Sequence, residues 1–426
     1  MNLTIEKMVY GGDGLARLPD GKTVFLPFVL PGEEVSATIA REKSSFARAT
    51  ADEIIKPSVK RTQARCPYFA ACGGCHYQHT GYTAQLEFKR EILRETLLRN
   101  AKLEWKGQIF THPSEPWHYR NRTQMKVRGG QQFAMGYHRF ASHELLEIDQ
   151  CPISSPAINR LIGQIREIGA AGGVPQGVTE IEFFADHADA RLVLEIHHAE
   201  GAQGIREFAA GLQSRFAEIQ GIATLVDAPA GSSALPQLDD TIGNTTLLYQ
   251  VGEKAFRVSA GSFFQTNRYM ARKLVDTVVD EFFGNIALDL YSGVGLFANH
   301  LAKRFTQVFA VESAPASAAD LQANALKNVV PVKTAAEQFL PRCLNMNPDL
   351  VVVDPPRAGL GPKTTQLLAA LRVKRIVYVS CDPATLARDL RLLLETGYHV
   401  EQVHMIDMFP QTFHVESVVR LARATS

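Results

Sequence analysis

Ala287-Leu288-Asp289-Leu290-Tyr291-Ser292-Gly293-Val294-Gly295-Leu296-Phe297-Ala298 joins an apolar strand to a glycine turn and the start of a helix. The turn carries G-x-G-x-x-A, and its glycines, Gly293 and Gly295, let the backbone approach a nucleotide-like ligand closely. A second strand, Val308-Phe309-Ala310-Val311, ends in Glu312, 17 residues past Gly295. An acidic side chain there can take two ribose hydroxyls. These two elements alone suit NAD as well as other nucleosides. From about residue 256 onward strands and helices alternate, which predicts an α/β, Rossmann-like domain. Asn267 is placed to cap a helix running through Arg272-Lys273-Leu274-Val275 to Phe283.

Three further segments belong to the same domain. Leu350-Val351-Val352-Val353-Asp354-Pro355-Pro356-Arg357 reads as a buried strand ending in an acid and two prolines. The prolines fix φ and remove two donors, so a stiff loop holds Asp354 at the strand tip. Hydride transfer has no evident use for such a loop, whereas methyl transfer to a base does. Val377-Tyr378-Val379-Ser380-Cys381-Asp382-Pro383 runs a strand into Cys381, at the carboxyl end where α/β sheets place their ligand crevices. The ordinary alternative is a core cysteine. His414-Val415-Glu416-Ser417 leads into the apolar pair Val418-Val419, which draws Glu416 away from the solvent face.

The N-terminal residues 1–57 differ in kind. Short alternating runs (Leu3 to Val9, Thr23 to Leu26, Glu34 to Ile39) are separated by Gly11-Gly12-Asp13-Gly14, Pro19-Asp20-Gly21 and Pro31-Gly32. That pattern predicts a small β barrel. It resembles a TRAM domain, an OB-like RNA-binding barrel. Residues 58–255 hold a cysteine-rich loop, an amphipathic helix over 83–99, and a mostly β region. In that region Gln124 to Arg128, Ile181 to Phe184 and Arg191 to Ile196 are strand candidates, and 201–217 can form a helix. Tyr119-Arg120-Asn121-Arg122 offers guanidinium groups to phosphates.

Six cysteines in a chain with no signal-peptide pattern and no bilayer-length apolar run point to a cytoplasmic protein with free thiols. Cys66, Cys72 and Cys75 bunch in a glycine-rich loop, and Cys151 precedes Pro152. Four such thiolates can enclose one metal centre. Spacing does not separate zinc from iron, although the Cys-Pro ligand leans toward an iron–sulfur cluster. Net charge is +1, yet residues 56–130 hold 14 Lys/Arg against 5 Asp/Glu, while 151–426 hold 24 against 28. A basic block on a near-neutral body suits a polyanionic partner.

Together the segments resemble the TRAM-containing, S-adenosylmethionine-dependent RNA 5-methyluridine methyltransferases that carry a [4Fe-4S] cluster. The resemblance rests on Ser262-Phe263-Phe264-Gln265-Thr266-Asn267, the Leu288 to Gly295 loop, Asp354-Pro355-Pro356-Arg357, Ser380-Cys381-Asp382-Pro383 and His414-Val415-Glu416-Ser417. It implies Cys381 as nucleophile and Glu416 as general base. It implies Gln265, Tyr291, Gly293, Gly295, Glu312 and Asp354 at the cofactor, and Cys66, Cys72, Cys75 and Cys151 at the cluster. Many relatives carry an acid near Ala335, a match this sequence lacks, and Glu337 is a candidate to replace it. The expected architecture is multidomain: a TRAM barrel over 1–57, an iron–sulfur and central β region over 58–255, and a methyltransferase domain over 256–426. RNA is the expected partner, ribosomal ahead of transfer RNA, with no membrane or obligate protein partner. The rival is an RNA-binding iron–sulfur protein that uses the fold as a scaffold. A DNA cytosine-C5 enzyme is disfavoured, because no cysteine follows Pro355 or Pro356.

Overall fold

Eight strands form the sheet of the C-terminal half. In the computed structural model, which describes residues 1–229, 231–232 and 234–423, their order is Val329–Lys333, Phe305–Glu312, Gly284–Leu290, Leu350–Val353, Arg375–Ser380, Glu416–Arg423, Tyr398–Ile406 and Ile109–His112. The first five are parallel, and Glu416–Arg423 is antiparallel to both neighbours. Alternate residues feed opposite faces, as strand geometry requires. Ala287, Val352 and Val377 pack with Leu274, Val278 and Phe297 on one side. Leu288, Val351 and Ile376 pack with Leu97, Leu386 and Leu390 on the other. Strands covered on both faces read as continuous apolar runs, which is why Leu350–Val353 is buried throughout.

Three segments grouped by sequence wholly or partly with the central region join this core. The expected helix forms over Tyr82–Ala101, and its Leu93 and Leu97 lie in the C-terminal core. Ile109–His112 adds the last strand by pairing with Val403 to Ile406. The hairpin of Thr246–Val251 and Lys254–Ser259 buries Tyr249, Phe256 and Val258 in the same unit, ahead of residue 256. An apolar stripe says that a face is covered, not which element covers it. The helix after the hairpin spans Ala271–Val279 with Met270 at its cap. Asn267 does not cap it. Its buried Nδ2 donates to Ser114 Oγ (3.0 Å) and the Met408 carbonyl (3.1 Å), and its Oδ1 accepts the Tyr269 N–H.

The N-terminal unit is a six-stranded sheet in the order Asn2–Thr4, Glu34–Glu42, Phe46–Lys56, Thr23–Pro27, Asp13–Arg17, Lys7–Met8. It closes on Leu3, Ile5, Val24, Leu26, Val29 and Val35. The central unit is a seven-stranded sheet that includes Arg122–Arg128, Val178–Ala185 and Leu192–His198. The helices Pro156–Ala170 and Ile205–Arg215 cover one face of it through Ile158, Leu161, Phe208 and Leu212. Strands outnumber helices in this region, and Pro156–Ala170 is a helix that the sequence reading did not place. No described helix is long and apolar enough to cross a membrane.

Candidate active site

The glycine turn sits at the carboxyl edge of the eight-stranded sheet. Asp289 is fully buried beneath it. Its Oδ2 accepts the Ser292 hydroxyl (2.5 Å) and the Ala298 N–H (2.9 Å), which ties the turn to the helix behind it. Its Oδ1 has no partner. Burial raises its pKa to about 7, with Glu312 adding to the rise. Gly295 has φ +90°, and a Cβ there would meet Asn299 Nδ2 and Leu321 Cδ1 at 2.8 Å. Gly293 has φ +56° and open space where a side chain would project. A ligand can therefore lie against this backbone. Tyr291 is also left-handed, at φ 62°, a strained setting of the kind found at binding sites. Burial, then the nearby Glu337, pushes its hydroxyl up to about 12.

Glu312 ends the neighbouring strand and is already held in place. Its Oε2 accepts the Gly293 N–H (2.9 Å), and its Oε1 accepts those of Ser313 and Ala314 (2.7 Å each). Gln265 lies on a segment running beside the helix Pro315–Asn324. There Ser262 donates to Asp320 (2.7 Å), and Asn121 donates to the Gln265 carbonyl (3.1 Å).

Asp354, Cys381 and Glu416 come together by register. Val353 lies beside Leu290 and Tyr378, so Asp354 emerges next to the glycine turn. Its N–H donates to the Leu290 carbonyl (3.3 Å). Ser380 pairs with Ser417 across the antiparallel ladder, so Cys381 and Glu416 are the next residues on two adjacent strands. Cys381 is half-buried and Glu416 is 5% exposed. Asp382 then caps the helix Pro383–Glu395, accepting the N–H groups of Ala384 and Thr385 (3.0 Å each).

The electrostatics are those of a crowded acidic site. Burial, then the charges of Glu416 and Asp354, push the Cys381 thiol up to about 12, and Arg357 opposes them. Glu416 is raised well above the ordinary carboxylate range by burial and by Asp354. Asp354 rises to about 7 through burial and Asp289. His414 is held neutral, pushed down to about 3 by burial and by Arg357 and Arg120. The resting thiol is thus protonated, and Arg357 is the cation that favours its ionised form.

The four remaining sequence-predicted residues meet elsewhere. Cys66, Cys72, Cys75 and Cys151 line one cavity of about 300 Å³, with Tyr68, Arg120 and Tyr137. Bonds from Gly73 to the His138 carbonyl (3.0 Å) and from Phe140 to the Ala71 carbonyl (2.8 Å) dock the loop on the central sheet. Burial pushes Cys72 up to about 11 and Cys75 higher still, with Cys151 adding to both. Among the described residues, no three or more His, Cys, Asp or Glu side chains are arranged to hold a metal ion.

The sequence reading of Arg120 and Arg122 as phosphate grips does not hold. Arg122 Nε lies 2.9 Å from Glu182, its guanidinium covers Phe184 at 4.3 Å, and its NH1 group donates to the Ser262 carbonyl. Arg120 faces the cysteine cavity. Sequence reasoning also missed the props behind Glu416. Lys89 Nζ donates to Asp407 (2.7 Å) and the Phe409 carbonyl (2.9 Å). Gln85 brackets Gln411 through two side-chain bonds of 3.0 Å. His76 and Tyr77, directly after Cys75, donate to the Gln411 carbonyl (2.8 and 3.0 Å). One signal was present: Lys89 shares the apolar helix face of Leu86, Leu93 and Leu97, and a lysine there requires a buried partner.

Comparison with known proteins agrees with this architecture. The family described as tRNA (Uracil-5-)-methyltransferase matches residues 81–424, and the TRAM domain matches 1–51. An RNA methyltransferase of Aquifex aeolicus, named as uncharacterized, is 34% identical over 437 residues, which is 99% of this chain and 98% of its own. A 23S rRNA (uracil(1939)-C(5))-methyltransferase of Halomonas elongata is 32% identical over 454 residues, covering 100% of this chain and 90% of its own. The crystal structure of Pyrococcus abyssi tRNA (uracil-54, C5)-methyltransferase in complex with S-adenosyl-L-homocysteine shares the fold, with a TM-score of 0.79 at 24% identity over 99% of this chain and 100% of that one. The family match over residues 81–424, the TRAM match over 1–51 and relatives more than 30% identical along nearly the whole chain place it in the family of S-adenosylmethionine-dependent RNA (uracil-5-)-methyltransferases.

Proposed function

We propose that the enzyme methylates C5 of a uridine in ribosomal RNA through a covalent adduct between Cys381 and C6 of the base. The observation that carries this is the ladder register that sets Cys381 beside Glu416, within reach of Asp354. Uracil C5 is too weak a nucleophile to take a methyl group from a sulfonium unaided. The Cys381 thiol gives up its proton to solvent, the thiolate adds to C6, and the C5–C6 π electrons move into an enolate. C5 then takes the methyl group of S-adenosylmethionine, and S-adenosylhomocysteine departs. Glu416, in its ionised form, removes the C5 proton, the double bond re-forms, and the thiolate is expelled. Arg357 favours the thiolate needed at the first step.

Gln265, Tyr291, Gly293, Gly295, Glu312 and Asp354 are the residues we assign to S-adenosylmethionine. The open space over Gly293 and the unpartnered Asp289 oxygen beneath the turn support this assignment. We assign RNA affinity to residues 1–57, and a [4Fe-4S] cluster to Cys66, Cys72, Cys75 and Cys151. A zinc ion draws four thiolates to about 2.3 Å from one point. The four cysteines line one cavity, and the Cys151-Pro152 pair leans toward an iron–sulfur cluster. By holding such a cluster, Cys66, Cys72 and Cys75 would fasten the loop that leads to His76 and Tyr77. The preference for ribosomal over transfer RNA rests on the name of the Halomonas relative.

The test is transfer of labelled methyl from S-adenosylmethionine to ribosomal and transfer RNA lacking 5-methyluridine. Label at one ribosomal uridine, lost with Cys381→Ala, is expected. Absence of transfer to either RNA would overturn the assignment.

A further inference from the structure

The N-terminal unit reaches the reacting segments through Tyr10. Tyr10 lies in the turn between Lys7–Met8 and Asp13–Arg17 and is half-buried. Its hydroxyl donates to Asp382 Oδ2 at 3.0 Å. The other oxygen of Asp382 is already committed to the N–H groups of Ala384 and Thr385. Ser380 Oγ accepts the Asp382 N–H at 3.2 Å. Cys381 therefore sits between two residues locked to each other, and Tyr10 holds the side chain of the second. The ring of Tyr10 stands edge-on to Phe413, centroids 5.3 Å apart, and Phe413 packs on His414 at 4.3 Å. Glu416 follows two residues later. The turn is itself seated: a Cβ on Gly12 would meet His76 at 3.0 Å.

We propose that Tyr10 is a positioning residue for methyl transfer, its hydroxyl fixing Asp382 behind Cys381 and its ring fixing Phe413 ahead of Glu416. Docking of the N-terminal unit then adds to the ladder between the two strands in holding the reacting segments in their mutual setting. The role extends what a phosphate-binding module alone would do, and it rests on the reading of Cys381 as nucleophile and Glu416 as base. Burial and the Asp382 charge keep the Tyr10 hydroxyl protonated, and so a donor.

The test follows adduct formation by the full-length protein on 5-fluorouridine-substituted RNA at saturating S-adenosylmethionine. Fluorine at C5 cannot leave as a proton, so the adduct accumulates and its rate is read directly. Tyr10→Phe removes one hydroxyl and keeps the ring. It is expected to slow the RNA-saturated rate about tenfold, the scale of one charge-assisted hydrogen bond, with RNA affinity within twofold of wild type. Tyr10→Ala, which also loses the ring contact, is expected to be slower again. In an Asp382→Asn background the Tyr10→Phe effect should shrink to less than twofold. A wild-type saturated rate in Tyr10→Phe would overturn the proposal, whether RNA affinity or melting temperature falls or not. An undiminished effect in the Asp382→Asn background would do the same. No adduct with wild-type protein would remove the nucleophile assignment and this proposal with it.

Discussion

Lys89→Met interrogates the support behind the Glu416 segment. Lys89 and Asp407 form an ion pair at 2.7 Å, with side chains 1% and 0% exposed. Lys89 also donates to the Phe409 carbonyl, and Tyr82 donates to the other Asp407 oxygen at 2.8 Å. Burial lowers the Lys89 pKa, and Asp407 works against that shift. Methionine fills nearly the same volume, so the substitution isolates the charge. Asp407 would be left buried with one hydroxyl donor, and breaking a buried pair from one side costs about 3–5 kcal/mol. Replacing both partners with apolar groups is often close to neutral, so Lys89→Met with Asp407→Leu should recover most of the loss. The assay is urea unfolding of each variant followed by tryptophan fluorescence, with hydrogen exchange of residues 407–414 alongside. Lys89→Met should lose about 3 kcal/mol or more, and those amides should exchange faster. A single variant as stable as wild type would refute the reasoning, because the pair would then be offset in full by its own desolvation.

Other perturbations separate the parts of the site. With its pKa raised to about 12, the Cys381 thiol should react with iodoacetamide about tenfold faster per pH unit through pH 9 without levelling off. Arg357→Gln removes the one influence that lowers that pKa, so alkylation at any fixed pH should slow severalfold; mass spectrometry of the Cys381 peptide reads both. Gly295→Ala places a Cβ 2.8 Å from two side-chain atoms at φ +90°, and should cost about 1–3 kcal/mol of stability with at least tenfold weaker S-adenosylmethionine binding by calorimetry. Cys72→Ala should remove iron and sulfide from anaerobically purified protein. Zinc in stoichiometric amount in the wild type would contradict the cluster assignment.

What could be read in advance follows the range over which the residues act. The glycine turn, the Asp354-Pro355-Pro356 tip and the amphipathic helix are set by neighbours in sequence, and all three form as patterned. Glu416 beside Cys381 needed a ladder between Arg375–Ser380 and Glu416–Arg423, which no local pattern specifies. Ile109–His112 is only four residues long and gains its role from Val403 to Ile406, far along the chain. Arg122 looked free because its partners, Glu182 and Glu195, lie on other strands. The helix Pro156–Ala170 went unread although Ser155 caps it and Pro156 opens it, a local signal that composition of the surrounding β region masked. Tyr10 and Gln411 are ordinary residues until the fold brings the N-terminal turn and the cysteine loop against the Glu416 segment.

Glu416→Gln with unmodified uridine RNA and methyl-labelled S-adenosylmethionine tests the proposed chemistry most directly. Without a base the C5 proton stays, the thioether cannot be expelled forward, and a methylated protein–RNA complex should accumulate, stable to denaturation and absent from Cys381→Ala. Wild-type turnover by Glu416→Gln, or a labelled covalent complex that persists in Cys381→Ala, would contradict it.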